Sequence, residues 1–470
     1  MDSFHYHLIG IGGCGMAGLA QLLKQKGFEV SGSDQTDSLV LDQLRDLGIT
    51  IFIGHQASQI TGAGKIILSS AIKFNNPEVL EAQKLGISII HRAQGLSELS
   101  HDKKLVLILG SHGKTTTTGL LISLLRAGNK NPSYAIGATY YETGLNAYLD
   151  PAGESFIIEG DESDHSFRYF CPEIIILNNI DHDHLETYGH DLENLKKAYL
   201  DFIKRVLAQK PHLLVIFNQE DLHCQDLILK IKTWDNQPKI KTYGYKKSDA
   251  EISEILIKKI QTEFKFNYLN ISQNFILNMP GAHNAENAAG ALLAGIELGL
   301  DLNTAQLGLK NYQGASRRCE IYGEFVLEDK NFLLIEDYGH HPVEIKVTLE
   351  ALKLAYPDRR LVLVFQPHRY TRTRDLFDDF AKILSSPECL ILLEIYAASE
   401  KKIEGVSAEN LLLKIREFKN NKDFGVLANL NNFLEVLRKI IKPNDLVLIQ
   451  GAGDVHECVG QLKRGSLEKV

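Results

Sequence analysis

The sequence predicts an α/β protein with three domains. Its 470 residues correspond to about three domains at roughly 150 residues each, and a hydrophobic content of 44% supplies a core for each. Apolar runs of strand length alternate with helical patterns along the chain, which is typical of βαβ units and parallel sheets. Two polar segments, SHDKK at 100–104 and GASRRCEIYGE at 314–324, divide the chain. We therefore expect domains at 1–102, 103–315 and 316–470.

The first domain contains a glycine motif between a strand and a helix. The strand YHLIGIG leads into Gly10-x-Gly12-x-x-Gly15, and the helical pattern GMAGLAQLLKQKG follows. Such glycines permit a tight turn and let a diphosphate approach the N-terminus of the helix. Asp34 ends the next strand, at about the distance where an acid accepts from a ribose hydroxyl. The pattern predicts a Rossmann-like domain that holds a diphosphate with a sugar, although the glycines would also suit a tight turn without a ligand.

The second domain begins with a shortened phosphate loop, in LVLILGSHGKTTTTGLLISLLRAG. Ile108 stands where a standard Walker motif has its first glycine, so the motif is Gly110-x-x-Gly113-Lys114-Thr115. Backbone amides and the lysine can still cradle phosphates, and the threonine hydroxyl is placed to reach a magnesium ion. A chance turn is the alternative, but four consecutive threonines are poor helix formers and need a reason. The central domain is therefore predicted to be P-loop ATPase-like α/β.

Acids and histidines follow two further strands of this domain. They are Glu159, Asp161, Glu162 and Asp164 after the first strand, and Asp181, Asp183 and His184 after the second. The carboxyl ends of parallel strands share one sheet edge, so we expect both groups to meet the phosphate loop. Magnesium or manganese suits such oxygen ligands. We favour Glu159 and His184 as metal ligands; solvated loops or helix caps are the alternative for any single carboxylate.

The third domain repeats the strand and helix alternation and is predicted to be Rossmann-like as well. Two of its strands lead into EDYGHHP and FQPHRYTRTRD, and Arg369, Arg372 and Arg374 concentrate positive charge in the second of these segments. Arginines can clamp a carboxylate or phosphate with two hydrogen bonds, and an amino-acid carboxylate is a natural guest. The alternative is a surface helix start whose arginines pair with the acids at 375, 378 and 379.

Composition excludes several classes of protein. A formal charge of −8 gives no broad basic surface for nucleic acid or an anionic membrane. No window approaches ~18 uninterrupted apolar residues, and no signal peptide is recognisable. The six cysteines are scattered without a C-x-x-C pair, which argues against a disulfide framework or a thiolate zinc site. We therefore expect a cytoplasmic protein with reduced thiols, without a nucleic-acid or membrane partner.

Motifs along essentially the whole chain resemble those of the Mur ligase family. They are HLIGIGGCGMAGLA, SSAIKFNNPEV, GSHGKTTTT, EGDESDHSF, NNIDHDHLETYG, PGAHNAENA, GASRRCE, EDYGHHPVEI, FQPHRYTRTRDLFDDF and LIQGAGD. Their order and spacing match the family, and DYGHHP with FQPHRYTRT is similar to the member that uses L-alanine. Ala282 departs from the expected arginine of PGRHN, and Gly160 and Asn178 are also unusual.

The resemblance implies a ligase with three substrates. The first glycine motif would hold the UDP of UDP-N-acetylmuramate rather than NAD, and the central loop would hold ATP. The lactyl carboxylate would be phosphorylated to an acyl phosphate, which the amine of L-alanine then attacks. The main alternative is the related recycling ligase that attaches an intact tripeptide, and FQPHRYTRT argues against it. A nicotinamide oxidoreductase or a non-catalytic nucleotide-dependent regulator would leave several motifs without a role. We expect a monomer or weak homodimer.

The resemblance also implies residue roles. Those expected to bind the UDP-sugar are Gly10, Gly12, Gly13, Gly15, Asp34 and Ser70. Those expected to bind ATP are Gly110, Ser111, His112, Gly113, Lys114, Thr115, Thr116, His283, Asn284, Asn287, Arg318 and Asp337. His340, Arg369 and Arg372 would bind the amino acid. Thr115, Glu159 and His184 would hold Mg²⁺ or Mn²⁺, and Lys114, Glu159 and His184 would be catalytic.

Overall fold

The structure, a computed structural model, describes residues 4–183 and 185–464. These residues group into two compact units. The first unit extends to Glu254 and also includes 264–276 and 285–313. The second comprises 255–263, 277–284 and the residues from Gly314 onward. His184 was predicted to bind a metal ion, and it lies outside the described residues.

The N-terminal part of the first unit is a five-stranded parallel sheet with the order β3-β2-β1-β4-β5. Its strands are β1 (His5–Ile9), β2 (Glu29–Asp34), β3 (Thr50–Ile53), β4 (Lys65–Leu68) and β5 (Ser88–His91). Its helices are α1 (Cys14–Gln25), α2 (Leu39–Asp46), α3 (Pro77–Leu85) and α4 (Arg92–Leu99). The strand order reverses between β1 and β4, where open sheets of this type bind ligands. The glycine motif follows β1 and therefore lies at this point.

The central part is built on a ten-stranded sheet with the order β15-β14-β13-β12-β11-β10-β6-β9-β7-β8. The strands are β6 (Lys104–Leu109), β7 (Ser133–Tyr140), β8 (Leu145–Tyr148), β9 (Ser155–Glu159), β10 (Ile174–Leu177), β11 (Leu214–Asn218), β12 (Lys239–Gly244), β13 (Ala250–Lys258), β14 (Gln261–Tyr268) and β15 (Ile271–Leu277). The helices are α5 (Lys114–Ala127), α6 (Leu192–Gln209), α7 (Leu222–Ile231), α8 (Ala282–Glu297) and α9 (Leu302–Asn311). Strand β6 pairs in parallel with both β9 and β10, and its buried run LVLIL suits a central parallel strand.

One hydrophobic cluster is shared by these two parts of the first unit. Leu22 of α1 and Phe156 of β9 both belong to it, and both are fully buried. Polar contacts accompany the packing, since the Asn146 side chain donates to the Cys14 carbonyl over 3.0 Å. Helix α1, which carries the glycine motif at its start, is therefore packed directly on the central part.

The second unit contains a six-stranded sheet with the order β16-β17-β21-β18-β19-β20. Its strands are β16 (Glu320–Leu327), β17 (Lys330–Asp337), β18 (Leu361–Phe365), β19 (Cys389–Leu393), β20 (Val426–Ala428) and β21 (Asp445–Gln450). Its helices are α10 (Pro342–Ala355), α11 (Tyr370–Asp375), α12 (Phe377–Leu384), α13 (Ala408–Lys419), α14 (Phe433–Ile440) and α15 (His456–Arg464). Alternate residues of β17 enter two different clusters, with Leu333 in one and Leu334 in the other. Both faces of the sheet are therefore covered, as predicted for this α/β fold.

No helix within residues 4–183 and 185–464 combines the length and the hydrophobicity needed to cross a bilayer.

Candidate active site

The phosphate loop joins the end of β6 to the start of α5. Gly113 precedes the helix with φ of +77°, a conformation that favours glycine. A Cβ atom at this position would lie 2.5 Å from the Asn287 side-chain oxygen. Asn287, which the resemblance assigned to ATP, is therefore in contact with the loop. A side chain at position 113 is therefore disfavoured by the positive φ and would force the Asn287 side chain to move.

Lys114 is held by its own loop and by a carboxylate. Its ammonium donates to the Gly110 carbonyl and to Glu162 Oε1, each over 2.6 Å. The side chains are 15% and 1% exposed, respectively, for the lysine and the glutamate. Burial alone would lower the pKa of Lys114, but Glu162, with Glu159 and Asp161, outweighs it and raises that pKa above its ordinary value. The lysine is therefore a charged group in a strongly acidic setting.

Two of the four threonines of α5, Thr115 and Thr117, have polar partners that explain their place in a helix. Thr115 Oγ1 donates to Glu159 Oε1 over 3.0 Å, and Thr117 Oγ1 accepts from the Asn178 side chain over 3.0 Å. Glu159 is oriented further by the Gly137 amide, which donates to its second oxygen over 2.7 Å. The predicted meeting of the strand ends with the phosphate loop is therefore present for Glu159. A hydroxyl and a carboxylate oxygen at this spacing fit a hard cation such as Mg²⁺.

The segment after β10 braces the other side of the loop. Asn179 Oδ1 accepts from the His112 amide over 2.8 Å, and its backbone oxygen accepts from the Ser111 amide over 3.2 Å. Asp181 Oδ2 lies 2.9 Å from His112 Nε2, and the Asp181 amide donates to Ser111 Oγ over 2.9 Å. Ser111 and His112, which were both expected to contact ATP, are thus held in place by Asn179 and Asp181.

Asn178 and Tyr243 form a buried contact beneath the loop. The Tyr243 hydroxyl donates to Asn178 Oδ1 over 3.1 Å, while the Asn178 amide group bonds to α5 as described. Sequence reasoning marked Asn178 as a departure and gave it no role. No motif surrounds Tyr243, so its part in supporting the loop could not be recognised from the sequence.

The glycine motif of the N-terminal part is held by the end of β2. The carbonyl of Ser33 accepts from the amides of Gly10 and Ile11, at 2.8 and 3.0 Å. Asp34 Oδ2 accepts from the Gly12 amide over 2.8 Å, and a Cβ at Gly12 would lie 2.9 Å from that oxygen. Asp34 thus lies at the motif, as predicted, and its carboxylate also shapes the turn. Gly13 is the N-cap of α1.

The remaining residues predicted for the UDP-sugar lie beside this turn. Ser70 is exposed just after β4, and the neighbouring Ser69 approaches Gly10 closely. Gly15 lies against the guanidinium of Arg92, the first residue of α4, because a Cβ there would be 2.8 Å from Nη1. Sequence reasoning missed Arg92. Burial alone would raise the pKa of the Asp161 carboxyl, but hydrogen bonds from Ser163 and the charge of Lys114 lower it, and the charge of Arg92 makes a smaller contribution.

In the second unit, the start of α8 carries two residues predicted to contact ATP. Asn284 is buried, and its side chain donates to the Pro280 carbonyl over 2.8 Å. Desolvation lowers the pKa of His283 to about 4. The imidazole is therefore neutral at pH 7, and it suits a hydrogen-bonding role more than a charge-pairing one. The preceding Ala282 is half-buried.

Asp337, at the end of β17, is a hydrogen-bond acceptor for several parts of the second unit. Its carboxylate accepts from the amides of Cys319 and Gly339, at 3.0 and 2.9 Å, and from the Gln450 side chain over 2.9 Å. It was predicted to bind ATP, and its contacts indicate that it also organises the backbone around it. Arg318, another predicted ATP contact, lies over the Tyr338 ring at 5.0 Å.

The three residues predicted for the amino acid gather around His368. The rings of His340 and His368 are 5.6 Å apart, and Arg372 Nη1 lies 3.3 Å from His368 Nδ1. Arg369 has φ of +71° and its amide donates to the Tyr396 carbonyl over 2.8 Å. His340 follows the carboxyl end of β17, and Arg369 and Arg372 follow that of β18; open α/β sheets bind ligands at such ends. The structure therefore brings this predicted group together.

Comparisons with known proteins agree with this arrangement. Models of the Mur ligase family match in order: its catalytic domain at residues 5–104, its middle domain at 108–295 and its glutamate ligase domain at 317–453. A UDP-N-acetylmuramate–L-alanine ligase of Burkholderia cenocepacia is 40% identical over 470 residues, which covers 99% of each chain. One from Neisseria meningitidis is 39% identical over 464 residues, which covers 97% of each.

A solved structure is also similar over nearly the whole chain. UDP-N-acetylmuramate-alanine ligase MurC from Thermotoga maritima has a TM-score of 0.80 and 25% identity, with 98% of each chain covered. Three consecutive family models, full-length relatives and the shared fold lead to one conclusion: this chain belongs to the Mur ligase family.

Proposed function

We propose that the protein is an ATP-dependent ligase that joins L-alanine to the lactyl carboxylate of UDP-N-acetylmuramate, in the synthesis of peptidoglycan precursors. The observation that carries the proposal is the meeting of Lys114, Thr115 and Glu159 at one sheet edge, which suits phosphoryl transfer. The full-length similarity to L-alanine ligases of two bacteria supports the choice of substrates.

The chemistry proceeds in two transfers. An oxygen of the lactyl carboxylate attacks the γ-phosphorus of ATP, ADP leaves, and an acyl phosphate forms. The neutral amine of L-alanine attacks the acyl carbon, phosphate leaves, and the nitrogen loses a proton to give the amide. Lys114 and the amides of the loop stabilise the negative charge on the transferring phosphoryl group. Positioning and charge neutralisation therefore supply most of the catalysis.

A divalent cation, Mg²⁺ or Mn²⁺, belongs to this proposal. Thr115 and Glu159 would hold it, because their oxygens lie together and are ligands that such cations prefer. When bound, the ion neutralises charge on the phosphates of ATP. His184 remains a predicted ligand of a second ion. The described residues contribute by fixing the hydroxyl and the carboxylate before ATP arrives.

The three segments would divide the substrates among them. We assign the UDP-sugar to residues 1–102, with Gly10, Gly12, Asp34 and Ser70 near the diphosphate and sugar. Residues 103–315 would hold ATP on the phosphate loop, and residues 316–470 would receive L-alanine. A cytoplasmic location follows from the use of ATP, and a monomer or weak homodimer remains our expectation.

The test is phosphate release by the purified full-length chain with ATP, Mg²⁺ and UDP-N-acetylmuramate. L-Alanine should support release, and mass spectrometry should detect the nucleotide sugar enlarged by one alanine. A tripeptide that begins with L-alanine should not, because its carboxylate lies far from its amine. Efficient tripeptide addition with little alanine addition would favour the recycling ligase and refute the proposal.

A substitution tests the amino-acid end of the site. Arg372→Ala should raise the KM for L-alanine about tenfold or more, since a charge-assisted hydrogen bond to the carboxylate is lost. The KM for ATP should change much less. An equal rise in both KM values would contradict the assignment of Arg372 to the amino acid.

A further inference from the structure

A buried group of polar side chains joins β1 and β2 of the N-terminal sheet to the start of α3, and only Ser33 among them was described above. We call it the Glu78 cluster and define it as His7, Ser31, Ser33, His55 and Glu78. Glu78 and His7 have fully buried side chains, and that of His55 is 12% exposed. Most ionisable side chains avoid such positions because burial of a charge is costly. The cluster therefore needs an explanation beyond packing.

Glu78 is the centre of the cluster. The Ser33 hydroxyl donates to its Oε2 over 2.6 Å, and the same oxygen lies 3.5 Å from His55 Nδ1 and 3.7 Å from His7 Nε2. Glu78 also stands in the first turn of α3, where the N-terminal end of a helix favours a negative charge. Its neighbours are therefore arranged to accept a carboxylate at this point.

The cluster extends to the second strand through serine hydroxyls. Ser31 Oγ lies 2.7 Å from His7 Nδ1, and Ser33 Oγ lies 3.1 Å from His55 Nδ1. Among the residues that the structure describes, Glu78 Oε1 and His7 Nε2 are buried and make no hydrogen bond. The cluster therefore leaves these two buried polar atoms without a hydrogen bond. The shortest hydrogen bond within it is the one from the Ser33 hydroxyl to Glu78.

Ser33 connects the cluster to the glycine motif. Its backbone carbonyl accepts from two successive amides of the motif, those of Gly10 and Ile11. The next residue, Asp34, accepts from the amide of Gly12. Two adjacent residues at the end of β2 therefore hold three amides of the turn. Any shift of Ser33 would move the turn that is assigned to the diphosphate.

We propose that Glu78 is a positioning residue for the UDP-sugar, acting through its hydrogen bond to Ser33 on the turn at Gly10–Gly12. This inference rests on the proposed function, because it takes the glycine motif as the diphosphate site. Glu78 acts from outside the site, since Ser33 stands between it and the turn. Its contribution is the fixed geometry of the backbone amides, which would otherwise have to be ordered when the ligand binds.

The experiment measures binding of UDP-N-acetylmuramate and, separately, of ADP to the full-length chain by titration calorimetry. Glu78→Ala and Ser33→Ala should each weaken binding of the UDP-sugar about tenfold, because the amides of the turn would then have to be ordered when the ligand binds. The double variant should be no more than about twofold weaker than either single one, because both remove the same bond. Binding of ADP should stay within twofold of the wild type.

Two further variants separate positioning from general damage to the fold. Glu78→Gln should bind the UDP-sugar within about threefold of the wild type, because its amide oxygen still accepts from Ser33. Glu81→Gln, on the same helix in an exposed pair with Lys84, is the matched control and should have no effect. Thermal unfolding of every variant checks that it is folded. If Glu78→Ala does not fold, Ser33→Ala, which removes only one oxygen atom, tests the inference in its place.

The outcomes distinguish this inference from the proposed function. Folded Glu78→Ala and Ser33→Ala variants that bind the UDP-sugar as the wild type does would overturn the inference and leave the function intact. Additive losses in the double variant would also overturn it, because the two residues would then act independently. A wild-type chain that binds ADP but no UDP-sugar would overturn the assignment of the glycine motif and, with it, this inference.

Discussion

Lys114→Met should lower both activity and stability, and the structure gives the size of the second effect. The ammonium lies 2.6 Å from Glu162 Oε1, and the glutamate side chain is 1% exposed. Removing one partner of a buried ion pair costs about 3–5 kcal/mol, because the other charge stays buried without compensation. Lys114 keeps some contact with solvent, so we expect about 3 kcal/mol. For a unit of this size, that corresponds to a fall of about 5 °C in Tm.

A second substitution separates the two effects. The double variant Lys114→Met/Glu162→Gln no longer buries an uncompensated carboxylate, so it should regain most of the lost stability. It should not regain activity, since the charge that stabilises the transferring phosphoryl group is absent; we expect a loss of at least about 100-fold in both variants. Lys84→Met removes an exposed pair and should change stability by less than about 1 kcal/mol.

Two assays are used. Thermal unfolding is monitored by fluorescence, and activity is measured as phosphate release with all three substrates. The reasoning about the buried pair is refuted if Lys114→Met unfolds at the same temperature as Lys84→Met. It is also refuted if the double variant is less stable than Lys114→Met alone. Near wild-type turnover in Lys114→Met would refute the catalytic assignment, whatever the stability.

Three further predictions concern the other parts of the chain. Gly12→Val should weaken UDP-N-acetylmuramate binding at least tenfold and ADP binding little, because its side chain would meet Asp34; calorimetry checks this, and a loss confined to ADP would contradict it. Glu159→Gln should raise the Mg²⁺ concentration for half-maximal phosphate release several-fold, because an amide is a poorer ligand, and full activity in excess chelator would exclude a metal requirement. The folded pKa of His283, about 4, lies below the ordinary 6.5, so its contribution to stability is complete above pH 6.5 and is lost as the pH falls towards 4. His283→Gln should flatten that decline in denaturant titrations, and an unchanged slope would contradict the burial argument.

The parts of the site that follow local rules could be predicted from the sequence. The glycine motif and the phosphate loop need particular residues at fixed spacing, and both occur between a strand and a helix as expected. The meeting of Glu159 with Thr115 followed from a general rule, that parallel strands present their carboxyl ends at one edge. The α/β fold was predicted from the alternation of apolar, strand-length runs with helical patterns.

The parts that depend on the direction of single side chains could not be predicted. From the sequence, Glu159 was favoured as a ligand but Glu162 was given no partner, and the turn after β9 directs Glu162 to Lys114. The Tyr243–Asn178 contact joins two residues that are 65 positions apart in the sequence, so it leaves no local pattern. Arg92 likewise lies outside every recognised motif. Such contacts arise from packing across the fold.

The hydrophobic cluster shared by α1 and the central sheet has a consequence for how this enzyme can be divided or recombined. Leu22 and Phe156 are buried in the same cluster, although the sequence motifs suggest a boundary near residue 103 between them. A fragment cut at that point would expose apolar surface on both pieces, and a chimera with a relative's first 102 residues would have to match that surface. Residues 1–102 and 103–315 should therefore be exchanged together in any chimera, even though they are assigned to different substrates.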